Sequence, residues 1–142
     1  MRRRTKAREF ALQILYQIDI TKCDAKSTVE DFWNNRETNT EAAVKEFAEG
    51  IISGVIEYKD EIDKAISEAA ENWELGRMAV VDRNILRMTA YELLHRQDIP
   101  PKVSINEAIE IAKKYGDQDS GKFVNGILDR INKTKRPYAE KG

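Results

Sequence analysis

The chain is 142 residues long, 35% charged and 41% hydrophobic, with 24 Lys+Arg against 25 Asp+Glu. One cysteine and one histidine exclude an internal disulfide and a Cys/His zinc cluster, and apolar runs of only a few residues exclude a membrane span. What remains is about one domain, 1–142, able to bury a sizeable core and suited to a reducing cytoplasm.

The near-zero net charge hides an asymmetry. Arg2, Arg3, Arg4, Lys6 and Arg8 are basic, and no acid precedes Glu9. Without these five, Lys+Arg falls from 24 to 19 against 25 acids, a body of formal charge −6. Such a cluster attracts phosphates by counterion release, and Arg can also fork onto a phosphate or stack on a base. Residues 1–8 therefore read as a basic arm for nucleic acid, with a merely solvated terminus as the alternative. Glu9 and Asp19 break the acid-free pattern of a transit peptide.

A first helix from Thr5 to Thr21 places Ala7, Phe10, Ala11, Ile14, Leu15 and Ile18 on one face. At about 100° per residue, Leu12, Tyr16 and Ile20 form a second, displaced stripe, so this helix is either central or binds something. Ser27 with Glu30 reads as a capping box for a short helix carrying Val29, Phe32 and Trp33. Thr38 with Glu41 repeats the device, opening a third helix to about Tyr58, in which Gly50 and Gly54 allow close approach of another helix.

A fourth helix from about Asp60 carries Ile62, Ala65, Ile66, Ala69 and Trp73 on one side, with Gly76 ending it or the turn after it. The fifth, roughly Ala79 to Gln97, is apolar over a wide arc and so central. Ile99, Pro100 and Pro101 break the chain, and Ser104 with Glu107 reads as a third capping box for a helix ended by Gly116. A last helix starts at Ser120 and runs through Phe123, Val124, Ile127, Leu128 and Ile131, before a polar tail at about 132–142. That tail carries Lys133, Lys135, Arg136 and Lys141, which either extend the basic surface or are unstructured. No segment alternates as a strand does, so the fold class is all-α, a compact bundle of about seven helices.

Catalytic constellations are absent from the pattern. The interval from Gly121 to Gly126 leads into Ile127 and Leu128 where a phosphate loop needs Lys and Ser or Thr. His95, near a helix end, reads as structural, and Asp117 with Asp119 as loop capping. The expectation is no enzyme, no metal and no cofactor.

Three stretches are specific when taken together: RRRTKAREFALQILYQ from Arg2 to Gln17, VDRNILRMTAYEL from Val81 to Leu93, and SINEAIEIAKKYG with KFVNGILD between Ser104 and Asp129. They resemble the NusB family of bacterial transcription antitermination factors over nearly the whole chain. The resemblance implies a non-catalytic all-helical protein that binds boxA single-stranded RNA of ribosomal RNA leader transcripts. It also implies a joint partner, the small-subunit ribosomal protein that doubles as NusE, in an antitermination complex that carries RNA polymerase past terminators. The fold also occurs at the N-terminus of some ribosomal RNA cytosine-5 methyltransferases; with the chain ending at Gly142, a free-standing protein is expected. Mapped by motif, the RNA surface falls on Arg2, Arg3, Arg4, Lys6 and Arg8, with Asp119, Lys122 and Phe123 at the start of the last helix. Phe123 is equally placed to stack on a base or to pack at i, i+4 with Ile127. The NusE surface maps to Tyr16, Ile20 and Asp82, and Asn106 and Asn125 read as amides between packed helices. The family includes monomers and homodimers, so a homodimer is open. The rival is an adaptor whose arm binds acidic proteins without sequence-specific RNA recognition.

Overall fold

The computed structural model describes residues 2–36 and 39–135. Among them the chain forms seven α-helices and one 3-10 turn: α1 (Arg3–Thr21), α2 (Ala25–Asn34), α3 (Ala42–Glu57), α4 (Lys59–Ala69), the turn Leu75–Arg77, α5 (Val80–His95), α6 (Pro101–Tyr115) and α7 (Ser120–Thr134). No strand occurs among the described residues. None of these helices is long and apolar enough to cross a membrane.

The apolar stripe of α1 buries Ala7, Phe10, Ala11, Ile14 and Leu15 in one cluster with residues from the other long helices. Leu12, assigned by periodicity to the outer stripe, is buried as well, because α3 and α5 flank α1 closely enough to widen its covered arc. α5 packs against α1, α3, α4, α6 and α7. Its Ile85, Leu86, Ala90 and Leu93 are fully enclosed, each large side chain contributing about 1.5–3 kcal/mol over exposure. Polar residues on so central a helix need partners, and Asn84, Arg87 and Glu92 have them. Asn84 donates to Asp19 and Arg87 to Asp63 and Asp19, while Glu92 accepts from Arg8 and Ser104.

Helix ends differ from expectation where another local signal wins, as at α2, or where a tertiary contact claims the capping side chain, as at Ser104. α2 is capped by Asp24, whose carboxylate accepts the Ser27 N–H at 2.9 Å, so Ser27 lies inside the helix rather than capping it. α3 starts after Glu41 with no side-chain cap, and Thr38 lies outside the described residues. α6 starts at Pro101, whose fixed φ and missing N–H suit the first helical position. Ser104, one turn in, sends its hydroxyl to Glu92 at 2.6 Å instead of to its own backbone. Gly116 does end α6, its N–H returning to the Ala112 carbonyl.

α4 ends at Ala69, short of Trp73. Glu71 follows with φ 43°, a left-handed conformation costly for a residue with a Cβ. His95 closes α5, stacked on Tyr58 with centroids 3.8 Å apart and bonded to Glu61. Gly54 meets the Tyr91 ring, the close approach its size allows, whereas Gly50 has no such neighbour. Asn106 and Asn125 are exposed, so neither amide sits between packed helices.

Candidate nucleic-acid interface

The basic run enters α1 directly, so its side chains leave the helix in different directions and divide into two groups. Arg2, Arg3, Arg4 and Lys6 are exposed. Arg2 reaches Glu107 at 2.8 Å and Arg3 reaches Glu41 at 2.9 Å, while the Arg4 guanidinium lies 4.5 Å over the Phe47 ring. The Arg3–Glu41 pair is exposed on both sides and worth about 0–1 kcal/mol, so a phosphate can displace that carboxylate at little cost, whereas Arg2 reaches a largely buried Glu107 that Thr5 also bonds.

Arg8 belongs to the other group, which corrects its assignment to the arm. It is 4% exposed and forks onto both oxygens of Glu92, Nε at 2.7 Å and Nη2 at 2.8 Å, with Glu107 3.5 Å away. It lies one residue after Ala7 and before Phe10, on the flank of the core stripe. A charge there is tolerated only when paired, and this one holds the first turns of α1 against α5 and α6.

Folding adds two cations that no motif signalled. Arg96 follows α5, yet its guanidinium lies 5.3 Å over the same Phe47 ring as Arg4, while it pairs with Asp98 at 2.9 Å. Arg36 follows α2 and lies 4.3 Å over Phe10. Arg3, Arg4, Phe47 and Arg96 line a cleft of ≈ 550 Å³, and Arg3, Lys6, Phe10 and Arg36 line a second of ≈ 400 Å³. Arginine forks beside aromatic faces suit a strand that offers both phosphates and flat bases.

Glu9, which is largely buried, ties α1 to the end of α6, accepting from Lys114 at 3.1 Å and from Tyr115 Oη at 2.9 Å. Glu9 raises the pKa of Lys114, which keeps its charge; burial, then Glu9, raises that of Tyr115. The end of α6 is thus fixed against α1, and residues 116–119 lead from it into α7. Asp117 accepts the Asp119 N–H within this loop. Asp119 and Lys122 are exposed. Phe123 is half-buried, with one side on the core and its ring 5.7 Å from Trp73 at 79°.

Of the residues mapped to a protein partner, Tyr16 is 40% and Ile20 53% exposed on the outer side of α1. Asp82 is not with them at the surface. It is 7% exposed, with Oδ1 buried and unpartnered, because the start of α5 is covered. Burial raises its carboxyl above the usual range; the Ser120 hydroxyl opposes that rise and the charge of Asp117 adds to it. Asp19 behaves oppositely. Burial pushes it up, but hydrogen bonds from Arg83 and Asn84 and the charges of Arg83 and Arg87 outweigh this and hold it below the usual range.

The tail expected from about 132 begins later, because α7 runs to Thr134: Lys133 lies in its last turn and pairs with Asp129 at 3.0 Å, Lys135 follows it and pairs with Glu68 at 2.6 Å, and Arg136 and Lys141 lie outside the described residues. Among the described residues, no group of three His, Cys, Asp or Glu is placed to hold a metal ion.

Comparison with known proteins agrees with the all-helical fold. The model of the NusB family matches residues 5–133. The transcription antitermination protein NusB of Trichlorobacter lovleyi is 52% identical over 128 residues, covering 90% of this chain and 89% of its own. That of Geobacter sulfurreducens is 50% identical over 131 residues, covering 92% and 94%. Among solved structures, NusB of T. maritima superposes with a TM-score of 0.86 at 45% identity over 94% of this chain and 93% of its own. The antitermination factor NusB crystallised with NusE and double-stranded RNA superposes with a TM-score of 0.84 at 28% identity, covering 94% and 98%. With a family model spanning most of the chain, half-identical relatives of matching length and the same seven-helix arrangement, this chain belongs to the NusB family.

Proposed function

We propose that this NusB-family chain acts as a transcription antitermination factor, a single non-catalytic cytoplasmic domain that binds boxA-type RNA of ribosomal RNA leader transcripts jointly with NusE. The observation that carries the RNA reading is the convergence of Arg3, Arg4, Lys6, Arg36 and Arg96 on two adjoining clefts floored by aromatic rings. Arg2 extends the set, and Asp119, Lys122 and Phe123 continue it along the start of α7. Tyr16 and Ile20, further along α1, offer NusE an apolar face, so one helix serves both ligands. At 1.5 Å per residue, Arg4 and Tyr16 are about 18 Å apart along it. RNA polymerase then carries the assembled complex past terminators.

The test is fluorescence anisotropy of labelled boxA RNA against a scrambled strand, with and without NusE. A preference for boxA that sharpens when NusE is added is the expected result, since two surfaces on one strand make the second contact intramolecular. Equal affinity for both strands and no gain from NusE would instead favour a protein-binding adaptor.

A further inference from the structure

Trp73 is the exposed aromatic that neither the sequence motifs nor the arm explains. Periodicity assigns it to the buried side of α4, but α4 ends four residues earlier and the indole is left 53% exposed. An exposed tryptophan costs solvation, and this one is held in place. Glu71 adopts its left-handed φ of 43° two residues before it, and the Trp73 N–H closes the turn onto the Ala70 carbonyl at 3.1 Å. Arg130 of α7 donates to the Ala69 carbonyl and lies 3.8 Å from Glu71, pinning the turn to α7. The edge-to-face contact with Phe123 then fixes the indole against the first turn of the same helix. A strained backbone, two tethers to α7 and a large apolar ring left in water describe a preformed contact rather than a loose loop.

We propose that Trp73 is a base-stacking residue for the RNA strand, with Phe123 as its buttress, an inference that rests on the RNA reading above. Continuity favours a base over a protein side chain. Glu9 ties the end of α6 to the arm-bearing turns of α1, and the 116–119 loop passes directly from there to Lys122 and Phe123. A strand leaving the arginine clefts along this path meets the Trp73–Phe123 pair. Charge contributes little at that point, because Glu71 faces Arg130 and Glu74 faces Arg77. Stacking does not depend on charge and accepts any base, so the site adds affinity without adding phosphate contacts.

That property supplies the test. The protein has two tryptophans, and Trp33→Phe leaves Trp73 as the sole emitter. Labelled boxA RNA is titrated by anisotropy while tryptophan emission is read in parallel, for the parent, Trp33→Phe, Trp73→Ala, Trp73→Phe and Arg3→Ala/Arg4→Ala. Quenching of Trp73 on RNA binding is expected. Trp73→Ala should weaken RNA binding roughly 5- to 150-fold with an unchanged salt slope, Trp73→Phe should retain most of the affinity, and the arginine variant should flatten the slope. Arginine-dependent RNA binding with no change in Trp73 emission and no effect of Trp73→Ala would overturn the stacking role and leave the RNA reading standing. A change in emission on adding NusE alone, with Trp73→Ala weakening only NusE binding, would overturn it in favour of a protein contact. No RNA binding by any variant, with or without NusE, would overturn both.

Discussion

The Arg8 guanidinium meets Glu92 in a two-pronged pair, Nε at 2.7 Å and Nη2 at 2.8 Å, across 84 residues of sequence. Both side chains are almost wholly enclosed, and Ser104 gives Glu92 a third bond at 2.6 Å. Removing one member of such a pair strands the other charge in the interior. Arg8→Ala is therefore expected to destabilise the fold by about 3–5 kcal/mol, measured by urea or thermal unfolding. Arg3→Ala and Arg4→Ala, whose side chains are exposed, should each fall within about 0.5 kcal/mol of the parent. Equal destabilisation by Arg8→Ala and Arg4→Ala would contradict this division of the basic run.

The same division sets how RNA binding should respond to salt. If the exposed cations neutralise three to five phosphates of a single strand, log K against log salt should slope by roughly −2 to −3.5. Deleting residues 1–4 leaves Arg8 in place and should flatten that slope while preserving the melting temperature. A shortened chain that keeps both affinity and slope would place the RNA contacts elsewhere.

Tyr16 and Ile20 leave apolar surface on α1 that the fold does not cover. Tyr16→Ala should weaken NusE binding, measured by calorimetry, by about 2 kcal/mol or more, with circular dichroism unchanged. Lost helicity in this variant would mean that the ring supports the fold.

Two aspartates should respond to pH with opposite signs. The raised carboxyl of Asp82 favours the protonated form in the folded state, so its contribution is complete below the ordinary carboxylate range and is lost as pH rises through its folded value. At pH 7 the buried charge is a cost, and Asp82→Asn should melt above the parent, with the gap closing in acid. Asp19 is lowered, so its contribution is present above the ordinary range and is lost as pH falls through its folded value. Asp19→Asn should cost about 1–3 kcal/mol at pH 7 and progressively less in acid, as followed by melting from pH 7 to 3.

Packing of α3 on α5 supplies a further expectation. A Cβ at Gly54 would collide with the Tyr91 ring, while one at Gly50 meets nothing. Gly54→Ala should destabilise by about 1–3 kcal/mol through overpacking, and Gly50→Ala should be neutral or mildly stabilising, since alanine is the better helix former. Equal melting temperatures for the two variants would refute the close contact.

The amino-acid sequence by itself determined what depends on neighbours a few residues apart. The 3.6-residue recurrence of Phe10, Ile14 and Leu15 specifies a core face for α1, the wide arc of α5 specifies its central place, and the clustering of Arg2, Arg3, Arg4 and Lys6 specifies a positive end. The three motifs carried the family resemblance for the same reason, each being built from short contiguous runs. Tertiary structure alone decided the rest. It turned Arg8 inward to Glu92, covered Asp82, drew Ser104 away from a capping role, and left Trp73 outside the helix its spacing suggested. It also brought Arg36 and Arg96 to the arm from the ends of two other helices. A charged or aromatic side chain takes its environment from whichever helices pack beside it, and for Arg8 that partner lies 84 residues away, beyond the reach of any local pattern.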